Sequence, residues 1–204
     1  MKTSPSTLVT IRAMAYCDVN RVVDVHLSAF PGFFLSFLGR RFLRLFYSEA
    51  LALGEIALVG DTGDDVIGFV MGSAAPRCFF RNLLRRRAFR FAVAAAPALT
   101  RQPRSALRLL RALQKPRDAC RPQGTATLMS LGVVRGSQGT GAGTLLVRAF
   151  LSEAARRGAH IVDLTTDKLA NDRTNVFYRN LGFVVVREIV TPEHRILNEY
   201  EFHL

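Results

Sequence analysis

The residues whose types and spacing could do chemistry begin at Leu131 and run LGVVRGSQGTGAGT to Thr144, with Leu145, Leu146, Ala149 and Phe150 following at helical spacing. An alternating stretch that turns through glycines into a helix presents several unpaired backbone N–H groups at one point. With the positive end of the helix dipole, they form an anion site. Glycine suits such a loop because the backbone must approach its ligand closely. Two phosphate loops are excluded by letter. A GxGxxG pattern starting at Gly139 or Gly141 needs glycine at 144 or 146, where Thr144 and Leu146 stand. A Walker loop from Gly136 reaches Gly141 and then requires lysine, but finds Ala142. A tight strand-to-helix turn explains the glycines of this loop equally well.

A second set lies downstream, where Asn171 precedes Tyr178 by seven residues and the pair Gly182-Phe183 follows. Gln138-x-x-Gly141-x-Gly143 after a strand, followed by this asparagine–tyrosine–Gly-Phe series, resembles the GCN5-related N-acetyltransferases (GNAT). The resemblance covers residues 124–190 best. It implies that backbone N–H groups of Gln138, Gly139, Thr140, Gly141, Ala142, Gly143 and Thr144 hold the pyrophosphate of acetyl-CoA, with Arg135 nearby as a charge partner. The strand edge at Leu131 and Val133 pairs with the pantetheine arm as an added strand does, and Asn171 hydrogen-bonds that arm or caps its own helix. Tyr178 protonates the departing thiolate, a role that suits a phenol with an unperturbed pKa of about 10.

The sequence departs from the family pattern in two places. Thr174 stands where alanine is frequent. The strand before the loop carries Thr125, Thr127, Met129 and Ser130 but no carboxylate, although some relatives place a glutamate base there. Glu55, Asp163, His26 and His160 are the candidate bases, with His160 expected at a strand entrance and His26 on a solvent-facing side of its helix. The aromatic stretch from His26 to Gly39 corresponds to part of the family's acceptor wall. It is similar to stretches in acetyltransferases encoded with bacterial surface-polysaccharide enzymes. That similarity implies an amino sugar or nucleotide-linked amino sugar as the amine acceptor, while the residues themselves equally admit a peptide N-terminus, a polyamine or an antibiotic. No His/Cys/Asp cluster has metal-ligand spacing, so no metal is expected.

The charge balance is local. Of 28 lysines and arginines, thirteen lie between Arg77 and Arg121, where Asp118 is the single acid; the rest of the chain is neutral, so this segment carries the whole net charge of +12. Such a segment is either a solvated arginine face over packing helices or a contact for an acidic acceptor, an acyl carrier protein, an anionic membrane surface or nucleic acid. No groove-reading motif accompanies it to favour nucleic acid. The alternative to an enzyme is a non-catalytic CoA-binding or interaction module whose basic helices dock on such a partner, and a homodimer fits either reading. The three cysteines, Cys17, Cys78 and Cys120, are odd in number and widely spaced. With no apolar leader after Met1 and no run of membrane-spanning length, they point to a cytoplasmic protein.

The elements that must position these residues follow from periodicity. Strands are expected at 8–14, 55–60, 66–73, 124–134, 161–165, 183–190 and 199–203. Helices are expected after an N-cap at Asp18, at 34–53, from about 141 to Gly158, and at 171–181. Residues 77–122 read as a two-helix insert, with one helix over Phe79–Phe91 and a second starting near Ser105 after Pro97 and Pro103. The fold class is α+β: a mixed, mostly antiparallel sheet flanked by helices, one domain over residues 1–204 with a basic insert.

Overall fold

The parallel contact at the centre of the sheet is short, and that shortness opens a cleft between two strands. The computed structural model describes residues 8–101 and 123–204. Its strands are β1 (Thr10–Ala13), β2 (Ile56–Asp61), β3 (Val66–Ser73), β4 (Thr125–Val133), β5 (Ile161–Asp167), β6 (Val184–Val190) and β7 (Ile196–His203). They form one sheet in the order β1-β2-β3-β4-β5-β7-β6. Among the described strands only β4 and β5 run parallel, and they pair only where Thr125, Ala126 and Thr127 meet Ile161, Val162 and Asp163. β5 then stays with β7 as far as Asp167, so the β5-facing edge of β4 beyond Thr127 has no strand beside it. On its other edge β4 remains paired with β3. There Met71 opposes Ser130 and Gly72 opposes Leu128, which leaves Met129 as an extra residue that bends the strand.

Helices cover both faces. Helices α1 (Val19–Ala29), α2 (Phe34–Ala52) and α3 (Pro76–Arg101) lie on one side, over a core that includes Val23, Phe46, Tyr47 and Phe69. Helices α4 (Ala142–Arg156) and α5 (Asp172–Asn180) lie on the other, over Leu146, Phe150, Val162 and Tyr200. Close seating of α4 depends on Gly72, where an added Cβ would stand 2.1 Å from the Thr127 carbonyl and 2.6 Å from the Phe150 ring. Among the described residues no helix is long and apolar enough to cross a membrane.

Three expectations need correction. Asp18 occupies the N-cap position of α1 but makes no side-chain cap. Its carboxylate instead takes two hydrogen bonds from Arg12, at 2.7 and 2.9 Å, and one from the Ala15 N–H. Pro97 does not end the first helix of the basic segment: α3 continues to Arg101 and bends at Arg87, whose backbone is non-helical and whose guanidinium pairs with Glu49 at 2.9 Å. The solvent side of α3 is also less polar than the arginine pattern implies, since Phe89, 81% exposed, and Val93 share it with Arg86 and Arg90. The second expected helix, near Ser105, lies outside the described residues.

Candidate active site

The glycine loop folds as the alternation and glycine spacing dictate. After β4 a single 3-10 turn, Arg135–Ser137, leads to Gly139 (φ 81°) and Gly141 (φ 90°), and α4 starts at Ala142. Both positive angles are ones that side-chain-bearing residues adopt at a cost. The first intrahelical bond is donated by Leu145 to the Gly141 carbonyl, and the N–H groups from Gly139 to Thr144 donate to no acceptor among the described residues. Ala142 is buried beneath them, and the Phe177 ring of α5 packs 3.4 Å from where a Cβ of Gly143 would stand. Nothing lies within 4 Å of a Cβ at Gly139 or Gly141. An open row of donors at a helix N-terminus fits a pyrophosphate. Gln138 turns its amide back to donate to the Val133 carbonyl at 3.2 Å, and the Thr140 hydroxyl donates to the Ser137 carbonyl at 2.8 Å. Arg135 is exposed on the turn and does not line the cleft.

That cleft, of about 890 Å³, starts at the loop and runs into the gap between β4 and β5. Leu131 and Val133 line it from the unpaired edge of β4, Asn171 from just before α5, and Phe177 and Tyr178 from α5. Asn175 and Tyr178, three apart, share one face of that helix. Asn171 precedes the helix without capping it through its side chain; its amide donates to the Asp167 carbonyl at 3.3 Å. Tyr178 is 5% exposed, packed edge-on against Phe177 and Phe183. Burial pushes its phenol well above the ordinary value, so it keeps its proton at neutral pH.

Sequence reasoning passed over Asn175, which sets where α5 sits. Its buried carbonyl oxygen accepts from Thr166 at 2.5 Å, Tyr200 at 3.0 Å and Asn198 at 3.4 Å, and its amide donates to the Asp167 carbonyl at 3.0 Å. A side chain that ties one helix to β5 and β7 has no local signature, because its partners lie up to 25 residues away.

The opposite wall is aromatic: His26, Phe30, Phe33 and Phe34 line the cleft beside Met129 and Ser130. At its mouth Arg195, from the β6–β7 turn, lies 6.0 Å over the Phe33 ring and pairs with Asp167 at 2.6 Å. His26 does not face solvent. With Val19, Val22 and Val23 it forms the i, i+3, i+4, i+7 stripe that α1 buries, and it is 3% exposed. Its Nδ1 lies 2.7 Å from the Tyr47 hydroxyl, which also bonds Ser130 of β4; its Nε2 is buried without a partner. Tyr47, too, carried no signal in the sequence beyond its helical stripe. The other candidate bases stand apart from the cleft. Glu55 precedes β2, where burial raises its pKa despite a bond to Ser73. Asp163 is buried in β5, and His160 is exposed at the entrance to β5, its N–H on the Gly124 carbonyl at 2.8 Å. Among the described residues no group of His, Cys, Asp and Glu could hold a metal ion.

Known proteins share this arrangement. The model of the acetyltransferase (GNAT) family matches residues 20–183. No curated protein matches the chain. Among solved structures, the ribosomal-protein-alanine N-acetyltransferase from Brucella melitensis is 14% identical with a TM-score of 0.64, covering 96% of this chain and 99% of that one. Ard1 from Thermoplasma volcanium is 16% identical with a TM-score of 0.63, covering 96% and 97%. The yncA protein of Salmonella typhimurium, solved with its cofactor acetyl-CoA, is 16% identical with a TM-score of 0.63, covering 97% and 94%. At these identities the likeness is one of fold, and it is the family model, spanning most of the chain, that identifies the protein. The chain belongs to the GNAT acetyltransferase family, whose enzymes take their acetyl group from acetyl-CoA.

Proposed function

We propose that this protein is an N-acetyltransferase that moves the acetyl group of acetyl-CoA to a primary amine by direct attack, all within one domain. The observation that carries the proposal is the continuity of the cleft from the open N–H row at Gly139–Thr144, along the unpaired edge of β4, to Tyr178. The loop donors hold the pyrophosphate. Leu131 and Val133 offer main-chain groups to the pantetheine arm, as an edge strand offers them to an added one. Asn171 stands beside that path, its amide donating to the Asp167 carbonyl. This fixes the thioester between Tyr178 and the aromatic wall, so the amine meets it as one partner of an effectively unimolecular step. The phenol, kept neutral by burial, donates its proton to sulfur as the C–S bond breaks. Arg135, exposed beside the loop, contributes long-range attraction for phosphate and no direct clamp.

The acceptor is an amino sugar or its nucleotide-linked form. The rings of Phe30, Phe33 and Phe34 supply surfaces for the apolar face of a sugar, and Thr165, Thr166 and Arg195 supply polar groups across the cleft. The exposed arginines of α3 favour an acceptor carrying phosphate, and the enzyme works in the cytoplasm. The test is thiol release from acetyl-CoA with glucosamine, glucosamine phosphate, a uridine-diphosphate amino sugar, spermidine and an alanyl peptide as acceptors. Amine-dependent release, greatest for the phosphorylated sugars, supports the proposal. Release with the peptide alone would replace the acceptor, and tight acetyl-CoA binding with no release would remove the enzyme.

A further inference from the structure

The central strand lacks the carboxylate that takes the amine's proton in some relatives, yet the cleft wall holds a titratable side chain that the proposed transfer does not yet use. We propose that His26 is that proton acceptor, its Nε2 receiving a hydrogen bond from the incoming neutral amine and then its proton. The proposal rests on the acetyl transfer set out above. Three observations place the role there. His26 lines the cleft, beside Met129 and Ser130 on the bent part of β4. One ring nitrogen is anchored, with Nδ1 2.7 Å from the Tyr47 hydroxyl and Tyr47 in turn bonded to Ser130. The other, Nε2, points away from Tyr47 by the geometry of the ring and is buried with no partner. A buried polar atom without a partner is costly unless something occupies it in the working state.

The role requires the tautomer in which the Tyr47 oxygen accepts from the Nδ1–H of His26, as it accepts from Ser130, so that Nε2 is left as a bare acceptor. The reverse arrangement would leave an orphaned N–H in the wall, which proteins tolerate less than an orphaned acceptor. The groups around the ring are Tyr47 from α2, Phe69 from β3, Phe30 at the end of α1 and, through Tyr47, Ser130 from β4. Burial lowers the pKa of His26 to about 4 with no contribution from a charged side chain. The ring is therefore uncharged at neutral pH and admits the neutral amine, not the ammonium ion. As the amine's lone pair forms the C–N bond, its nitrogen becomes acidic and its proton passes to Nε2. The C–S electron pair leaves on sulfur, which takes the proton of Tyr178. His26 then returns its proton to water and Tyr178 regains one, so the cycle closes without any other reactant.

Two readouts decide the proposal. In ¹⁵N-histidine-labelled protein, with the His26 signals assigned by their loss in His26→Gln, the ring is expected as the neutral Nδ1–H tautomer from pH 8 down to about pH 5. With whichever amine of the panel gives the fastest turnover, His26→Gln should lower kcat by about 10²–10⁴-fold. Tyr47→Phe, which frees the ring to take the other tautomer, should also lower kcat. Acetyl-CoA should still raise the melting temperature of both variants as it does for the wild type, which establishes that they fold. An Nε2–H tautomer in the wild type overturns the proposal, and so does an unchanged kcat in His26→Gln. Failure of the wild type to acetylate any amine counts against acetyl transfer itself, and the tautomer alone then decides the role of Nε2.

Discussion

Gly141 separates the cost of building the loop from the use of the loop. Its φ of 90° is left-handed, and no atom lies within 4 Å of where a Cβ would stand, so Gly141→Ala should cost backbone strain and nothing else. That strain is about 1–2 kcal/mol. For a chain of this length about 1 kcal/mol moves the midpoint by about 2–4 °C, so the free protein should melt about 2–8 °C lower. Acetyl-CoA at a hundredfold excess over its Kd adds about 2.7 kcal/mol to the folded state, or about 5–11 °C on the same scale. In Gly141→Asp the carboxylate stands among the N–H groups that await the pyrophosphate, and it repels that group as well. The free Asp variant should lose no more stability than the Ala variant, because a carboxylate at a helix N-terminus is favourable, but its ligand-induced gain should vanish. Gly136→Ala is the control: its φ is not left-handed and its Cβ site is open, so both midpoints should stay within about 1–2 °C of the wild type. The assay is a melting scan with and without acetyl-CoA. A wild-type gain in Gly141→Asp would refute the assignment of the loop.

Three further outcomes are expected. Tyr178→Phe removes the sulfur's proton donor and keeps the packing against Phe177 and Phe183; steady-state kinetics should show kcat down by about 10²–10⁴-fold with the Kd for acetyl-CoA nearly unchanged. The depressed pKa of His26, about 4 in the folded state against about 6.5 unfolded, means the unfolded chain binds the extra proton first. Stability from this group is thus present above pH 6.5 and is lost as pH falls toward 4, by about 2 kcal/mol at pH 5. Urea unfolding of wild type and His26→Gln across that window should show the smaller pH slope in the variant. Asn175→Ala strips the buried hydroxyl of Tyr200 and the part-buried one of Thr166 of their shared acceptor, and urea unfolding should show a loss of about 1–3 kcal/mol.

What was legible in the sequence is what depends on neighbours in the chain. The loop and its helix, and the run from Asn171 to Gly182, are written in consecutive residues. The structure places them on a common cleft because β4 and β5 are parallel neighbours that part after Thr127 and Asp163. What was not legible depends on distant partners. His26 reads as a polar residue on an amphipathic helix until Tyr47, 21 residues later, is seen to hold it inside. Asn175 reads as one more polar helix residue until Tyr200 and Asn198 are seen to point at it. Asp18 has the right type and place for a helix cap, but Arg12 engages its carboxylate in place of the helix N–H groups. Pro97 is a helix breaker by its ring and its missing N–H, yet α3 runs on past it.

Backbone hydrogen exchange tests the central claim most directly, because it reads the cleft residue by residue without any choice of acceptor. On addition of acetyl-CoA the amides from Gly139 to Thr144 should slow strongly, as groups with no acceptor among the described residues gain one. Protection should extend to the unpaired β4 edge at Leu131 and Val133. Amides of the same strand already bonded to β3, and the hairpin of β1 and β2, should be unchanged. Protection confined to some other surface, or none along Gly139–Thr144 at saturating acetyl-CoA, would contradict the account.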